Sequence, residues 1–299
     1  MLYVGLLVSW LERGENEIMA MGRVLRFAHT PDPDDAYMFY GLAVGAVMVP
    51  GFSCVEHIVE DIETLNKRLA EEGWVVEVSA ASAHAYAYIA DRYYLMRSGA
   101  SMGEGYGPVL VSKEKLGNLK GKRVAVPGKY TSARLLLLLA TGGGYEEVFA
   151  RFDEIPGMVL RGEVDAGLLI HEAQITYEEM GLRLVLSLWD WWRSTVGSLP
   201  MPLGVDVVYK GLGEETARAI REALQESIRY AWRNHQDALV YASRYSRGAS
   251  LDQLDRFVKM YVNERTLDMG QEGIRAHQVL YEMAWERRLI PGPVEPEIV

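Results

Sequence analysis

The sequence predicts an α/β fold with two lobes and a central ligand cleft. Three observations indicate this class. The chain has 299 residues, enough for two domains of ordinary size. Strand-like and helix-like segments alternate along it, which is typical of parallel or mixed sheets covered by helices. Two segments rich in glycine and proline, residues 98–108 and 200–204, interrupt this alternation where a chain would cross between lobes.

The first block opens with a strand, a turn and a helix. Residues 24–29 (VLRFAH) are short and apolar and predict a strand. The turn-forming TPDPDDA follows, and a helical pattern occupies residues 37–44. We expect Asp34 or Asp35 to cap this helix, because a carboxylate accepts hydrogen bonds from the free N–H groups of a first helical turn.

The rest of the first block leads to the glycine-rich segment. Residues 62–71 predict a helix, residues 75–78 a strand, and residues 79–90 a helix of small residues. Residues 98–108 (SGASMGEGYGP) contain four glycines and a proline, which disfavour a regular element. This segment is therefore predicted to be a loop that lines the cleft.

The second block continues the alternation. Its predicted strands and helices are, in order, strands at 109–112 and 122–128, a helix at 131–140, a unit at 145–151, a helix at 155–163, and strands at 165–170 and 182–188. A strand at 204–210 then leads into three helical stretches. In the first of these, Ile220, Leu224, Ile228 and Ala231 form one apolar stripe.

These blocks predict a domain organisation. Residues 24–107 and 205–299 form a larger, discontinuous α/β domain, and residues 108–204 form a smaller inserted one. Residues 1–23 are predicted to be an N-terminal extension.

Composition excludes several classes of protein. The net charge is -10, and no cluster of Lys and Arg interleaved with aromatic residues would follow a nucleic-acid backbone. Cys54 is the single cysteine, so an internal disulfide and sites of paired cysteines are excluded; we expect it to be a small buried side chain. The opening apolar segment is too short to span a bilayer and lacks the features of a secretory signal, which favours a cytoplasmic protein without membrane insertion.

His171 is the first candidate for chemistry. It follows the apolar run AGLLI, so it is predicted at the C-terminal end of a strand, where open α/β sheets bind ligands. A neutral imidazole there is able to accept a proton near pH 7. The competing interpretation is a histidine bonded within the core.

Thr131, Ser132 and Ala133 mark a second candidate. They lie between a predicted strand and a leucine-rich helix, where hydroxyls and free backbone N–H groups meet at a helix start. Such a position binds carboxylates or phosphates. The competing interpretation is that Thr131 or Ser132 only caps the helix.

Other chemistries find no support in the sequence. Turn and cap chemistry accounts for the adjacent Asp32, Asp34 and Asp35 more simply than a metal site does. The chain has no GxSxG elbow, no HExxH, no Walker loop and no dinucleotide-binding GxGxxG after a strand. Neither a metal nor a cofactor is predicted.

Several blocks together resemble a known family. RFAHTPDPDDAYMFYGL, VEDIETLN, RSGASMGEGYGP, KRVAVPGKYTSA, VDAGLLIHEAQITYEEMGL, PMPLG and YVNERTLDMGQEG are similar to the 1,4-dihydroxy-6-naphthoate synthases of the futalosine route to menaquinone. These blocks run in order from about residue 24 to about residue 289. The resemblance implies the two-lobed fold of type II periplasmic binding proteins.

The resemblance also implies roles for particular residues. His171 occupies the position of the family's histidine base, and Thr131, Ser132 and Ala133 correspond to the turn that holds the substrate carboxylate. Its serine-bearing turn corresponds to Ser79 and Ser82, which are implied to line the other side of the pocket.

The first loop departs from the family pattern. Members read roughly SPCPNDTFIFY, whereas this chain has Asp32 in place of the cysteine and Asp34 in place of the asparagine. Asp34 is thereby implied as a substrate-binding position that has lost an amide donor. A carboxylate there repels an anionic substrate unless it points away, so the exact substrate stays open.

The resulting functional prediction is a cofactor-independent lyase. It converts cyclic de-hypoxanthinyl futalosine, a small anionic aromatic substrate, to 1,4-dihydroxy-6-naphthoate, with His171 as base. Two alternatives stay open: a solute-binding protein for a small organic anion, and a chorismate dehydratase of the same pathway. The oligomeric state is not predicted.

Overall fold

The structure is a computed structural model that describes residues 22–246 and 250–299. The predicted N-terminal extension lies almost entirely outside the described residues. In the described part the strands are β1 Val24–His29, β2 Cys54–Val59, β3 Val78–Ser82, β4 Tyr93–Leu95, β5 Ser101–Gly103, β6 Val109–Ser112, β7 Arg123–Val126, β8 Glu146–Phe149, β9 Ala166–Leu169, β10 Arg183–Ser187 and β11 Met201–Tyr209.

The strands form two mixed sheets, as the alternation of elements predicts. The first sheet has six strands in the order β2-β1-β3-β11-β4, with β5 also paired to β11. Strand β1 runs parallel to β2 and β3, whereas β11 runs antiparallel to β3, β4 and β5. The second sheet has the order β10-β6-β9-β7-β8, with β7 parallel to β8 and β9.

Helices cover both sheets. They are α1 Pro33–Met38, α2 Tyr40–Ala43, α3 Ile62–Ala70, α4 Ala83–Tyr86, α5 Ser132–Thr141, α6 Ile155–Leu160, α7 Ala173–Thr176, α8 Leu188–Val196, α9 Glu214–Arg233, α10 His235–Ala242, α11 Leu251–Tyr261, α12 Glu264–Leu267 and α13 Gly270–Glu286. Five of these described helices follow β11, where the sequence predicts three.

Burial explains the apolar patterns. The predicted stripe on α9 is buried along its length and packs against α1 and α2. Helix α5 is apolar on most of its surface because it contacts α4, α8, α13 and β11 at once, so that all but one of its leucines are buried. Each fully buried leucine contributes about 2 kcal/mol relative to an exposed one.

Several local predictions are wrong for identifiable reasons. Residues 79–90 do not form one helix, because residues 78–82 pair with β1 and β11 and the helix starts only at Ala83. The glycine-rich loop contains the short strand β5. Asp32, rather than Asp34 or Asp35, is the N-cap of α1, because Pro33 begins the helix. Cys54 is exposed, because it begins β2 at the edge of the first sheet.

The division into domains stays a prediction. Strands of the second sheet all fall within residues 109–187. Strand β11 joins the first sheet from Met201 onward, so residues 201–204, predicted to belong to the inserted domain, pair with the other sheet. Among the described helices, none is long and apolar enough to cross a bilayer.

Candidate functional site

Loops and strand ends from both sheets line one cavity of about 130 Å³. From the side of the second sheet it is lined by the end of β9 and the start of α5. From the side of the first sheet it is lined by α1, the end of β3 and the middle of β11. Gly99, Ser101 and Pro108 also line it, in agreement with the predicted cleft-lining role of the glycine-rich segment.

His171 lies in this cavity, just after the end of β9. Its backbone is in the left-handed region with φ 54°, which costs a residue with a side chain about 1 kcal/mol or more. The ring packs on Phe152 with centroids 4.6 Å apart. Its Nε2 lies 3.7 Å from Oδ2 of the buried Asp32, beyond hydrogen-bond range but close enough for attraction between charges. Strain held beside a charged partner is typical of functional residues.

The start of α5 lies in the same cavity. Thr131 is the N-cap: its hydroxyl accepts a hydrogen bond from the Arg134 N–H at 3.4 Å and donates to the Gly128 carbonyl at 3.1 Å. The N–H groups of Ser132 and Ala133 precede the first intrahelical bond and have no carbonyl partner within the helix. Thr131, Ser132 and Ala133 all line the cavity, so capping and anion binding are compatible here.

Helix α3 fixes the turn before α5. The buried carboxyl of Glu63 accepts hydrogen bonds from the N–H of Lys129 at 2.6 Å and of Tyr130 at 3.1 Å. A Cβ on Gly128 would lie 2.3 Å from the Glu63 carboxyl carbon, so this approach requires glycine. Glu71, at the other end of α3, accepts from the Tyr130 hydroxyl at 2.8 Å. The turn is thus held from both ends of one helix.

Of the two serines implied to line the first-sheet side, the structure brings one to the cavity. Ser82 lines it, and Asn66 holds Ser82 through two hydrogen bonds. Ser79 is fully buried outside the lining, and its hydroxyl donates to the Ala80 carbonyl at 2.9 Å. Ser79 lies one residue into β3, where no turn exposes it.

Among the described residues, three carboxyl groups line the cavity from the first-sheet side. Asp35 accepts hydrogen bonds from the Thr30 N–H at 2.7 Å and the Thr30 hydroxyl at 2.8 Å, and its burial raises its pKa to about 7. Asp34 has a buried Oδ1 without a hydrogen-bond partner in the described chain, and burial followed by the charge of Asp35 raises its pKa. Asp206, on β11, is the third.

Several lining residues were missed by the sequence analysis. Tyr261 and Gln174 are hydrogen-bonded to each other at the cavity, although α11 and α7 are far apart in the chain. Asp206 carried a signal, because an aspartate interrupts the apolar strand GVDVVY. No group of three His, Cys, Asp or Glu in the described residues has the arrangement of a metal site.

Comparison with known proteins identifies the family. A family model described as menaquinone biosynthesis matches residues 25–286. The chain belongs to this menaquinone-biosynthesis family. A 1,4-dihydroxy-6-naphthoate synthase of Thermus thermophilus is 42% identical over 270 residues, which cover 90% of this chain and 97% of the relative. The predicted family is therefore confirmed.

Solved structures confirm the fold class. A crystal structure of a protein from Archaeoglobus fulgidus has 48% identity and a TM-score of 0.83, covering 89% of this chain and 98% of its own. The alkanesulfonate-binding protein SsuA from Xanthomonas axonopodis pv. citri, bound to MOPS, has 14% identity and a TM-score of 0.66, covering 93% of this chain and 98% of its own. The latter likeness bears on the fold alone, which is that of periplasmic binding proteins.

Proposed function

We propose that this member of the menaquinone-biosynthesis family is a 1,4-dihydroxy-6-naphthoate synthase. It acts as a carbon–carbon lyase on cyclic de-hypoxanthinyl futalosine in the futalosine pathway, without a cofactor, and His171 is its base. The name of the Thermus thermophilus relative supports the activity. The compartment that we propose is the cytoplasm.

One observation carries the proposal: His171 and the start of α5 line the same cavity. The N–H groups of Ser132 and Ala133 are suited to a carboxylate, and the helix dipole favours negative charge there. A substrate held by its carboxylate presents its reacting carbon to a fixed imidazole. Proton transfer to His171 leaves an electron pair on the substrate, and this pair forms a new π bond as the carbon–carbon bond breaks. The departing fragment keeps the electrons of the broken bond and takes up a proton.

Asp32 supports the role of His171 as a base. When the imidazole takes a proton it becomes a cation, and the carboxylate oxygen 3.7 Å away stabilises that charge. The two residues belong to opposite sides of the cavity, since Asp32 precedes α1 and His171 follows β9. Their proximity depends on both sides being in place.

Asp34 is compatible with an anionic substrate despite its replacement of the family's asparagine. Burial, followed by the charges of Asp35 and Asp32, raises the pKa of Asp34 and favours its neutral form. A neutral carboxyl donates one hydrogen bond, as an amide does, and does not repel a carboxylate. This supports Asp34 as a substrate-binding residue.

The test is turnover with two candidate substrates. The purified chain is incubated with cyclic de-hypoxanthinyl futalosine and, separately, with chorismate, and the products are separated and their absorbance spectra recorded. A naphthoate chromophore from the first substrate is expected. A dehydrated product from chorismate would instead indicate the dehydratase, and tight binding of the first substrate without product would indicate a solute-binding protein.

A further inference from the structure

Asp206 is a buried acid that the proposed mechanism does not use. It lies in the middle of β11 opposite Ala80 of β3, and it lines the cavity. The residue is 1% exposed, and within the described chain neither of its carboxyl oxygens has a hydrogen-bond partner. A buried polar group without a partner costs about 1 to 3 kcal/mol, so its retention calls for an explanation.

Gly99 leaves the space that this carboxyl occupies. A Cβ on Gly99 would lie 1.9 Å from Oδ2 of Asp206, and the backbone of Gly99 has a φ of 81°, which disfavours other residues. The carboxyl therefore occupies the space that a side chain at position 99 would need. Glycine at position 99 therefore allows the carboxyl to lie against this wall of the cavity.

The charges facing Asp206 do not favour its ionised form. The titratable side chains that line the cavity with it are Asp34, Asp35, His171 and Tyr261, and no Lys or Arg is among the described lining residues. Burial, and secondly the charge of Asp35, raises the pKa of Asp206 well above its usual range. An isolated buried carboxylate is too costly to maintain, so such a group takes up a proton instead.

We infer that Asp206 is a protonated carboxyl that donates a hydrogen bond to an uncharged oxygen of the substrate, a hydroxyl or a ketone. This inference rests on the proposed function and extends it. The proposed product carries one carboxylate and two ring hydroxyls, so its precursor presents uncharged oxygens as well as an acid. The substrate carboxylate binds at the start of α5, and Asp206 donates a hydrogen bond to one of the other substrate oxygens.

The protonation state is tested without turnover. Infrared difference spectra of wild type minus D206N at pH 7 are expected to contain the carbonyl stretch of a protonated carboxyl. Adding 1,4-dihydroxy-6-naphthoate is expected to shift that band to lower frequency, as a hydrogen bond to the ligand forms. A missing band, or a band that the naphthoate leaves unmoved, would overturn the inference.

Turnover of cyclic de-hypoxanthinyl futalosine tests the donor. An amide also donates a hydrogen bond without charge, so D206N is expected to keep KM within about threefold of wild type, whereas D206A raises it roughly tenfold. D237N, at an exposed position on α10, is the matched control and should equal wild type. Equal KM values for D206A and D206N would contradict the role of Asp206 as a donor.

The two proposals fail in different ways. Wild-type protein that does not turn over this substrate would refute the proposed function, while the infrared result with the naphthoate would still decide the state and contact of Asp206. Thermal unfolding of each variant shows whether D206A folds. If it does not, the D206N spectra and KM decide the question.

Discussion

The two walls of the cavity offer hydrogen-bond donors to a ligand through different chemical groups. On the second-sheet side, which we call the backbone wall, the donors are backbone N–H groups at the start of α5, and hydrogen bonds to Glu63 and from the Thr131 hydroxyl hold the turn that presents them. The first-sheet side, which we call the acidic wall, presents hydroxyls such as that of Ser82 together with carboxyls, and Asp34 and Asp206 contain buried oxygens without partners in the described chain. The backbone N–H groups of the second-sheet side are always donors, whereas the carboxyls of the first-sheet side donate only while they keep their protons.

His171 gives the largest expected effect, because it is the proposed base, whereas the groups of both walls only bind the substrate. H171N is expected to lower turnover by roughly 10²- to 10⁴-fold, the usual contribution of a general base. Asparagine tolerates the left-handed backbone at this position better than most residues other than glycine, so the fold should persist. Steady-state rates and binding of the naphthoate are the measurements.

Naphthoate affinity close to wild type is expected for H171N, since both walls are intact. Unchanged turnover would refute the role of His171 as base. A loss of affinity equal to the loss of rate would assign His171 to binding.

Asp35 tests whether the acidic wall depends on protons. Its pKa is about 7 in the folded protein, above the value of about 4 for a free aspartate, so the folded state holds more protons between these pH values. Its stabilising contribution is complete below about pH 4 and is lost as pH rises to about 7. Relative to wild type, D35N should gain on the order of 4 kcal/mol of unfolding free energy across this range.

Urea unfolding at a series of pH values measures this difference. The control is D237N, which removes an exposed carboxyl on α10 outside the cavity. A D35N difference from wild type that does not change with pH would show that the Asp35 carboxyl is ionised in the folded protein.

Ser132 tests the backbone wall. S132P removes both the N–H and the hydroxyl at the first helical position, where proline is tolerated after the extended Thr131. S132A removes only the hydroxyl. Loss of a hydrogen bond to a charged group costs about 1.5 to 3 kcal/mol, so S132P should raise KM roughly tenfold to hundredfold.

S132A is the matched control and should raise KM by no more than a few fold. Steady-state kinetics measure both variants. If S132P and S132A have the same KM, the N–H of Ser132 does not bind the substrate.

Glu63 gives the smallest expected effect. E63Q keeps one acceptor oxygen but replaces the other with an NH2 group, so the N–H of Lys129 or of Tyr130 faces a donor instead of an acceptor, and a loss of about 1 kcal/mol of stability is expected. E71Q changes an exposed acid that contacts the same turn and should cost less. Urea unfolding of both variants provides the comparison, and a larger loss for E71Q would contradict this account of the turn.

The backbone wall was predictable from sequence, whereas among the carboxyls of the acidic wall only Asp34 was indicated, through the family resemblance. Thr131 stands between an apolar strand and a helix, and His171 ends an apolar run, so local pattern alone indicates both positions. The significance of Asp35 and Asp206 depends on burial and on each other's charge. Those properties arise only when α1 and β11, distant in the chain, face one cavity.

Contacts between distant segments also explain why the predicted helix over residues 79–90 and the predicted position of Ser79 are wrong. Residues 79–82 are small and suit a helix, but pairing with strands on both sides overrides that preference. Ser79 therefore lies within a strand rather than at a turn, and it does not reach the cavity. Pairing partners are not visible in a window of sequence.

Ser132 also connects the two sides of the molecule. Its hydroxyl donates to the Leu203 carbonyl, just before the middle of β11, and accepts from the N–H of His84. If the start of α5 moves away from both β11 and α4 to let a ligand leave, both bonds break. The rate of product release is then set partly by hydrogen bonds that take no part in the chemistry. S132A, which lacks them, would release its product faster than wild type.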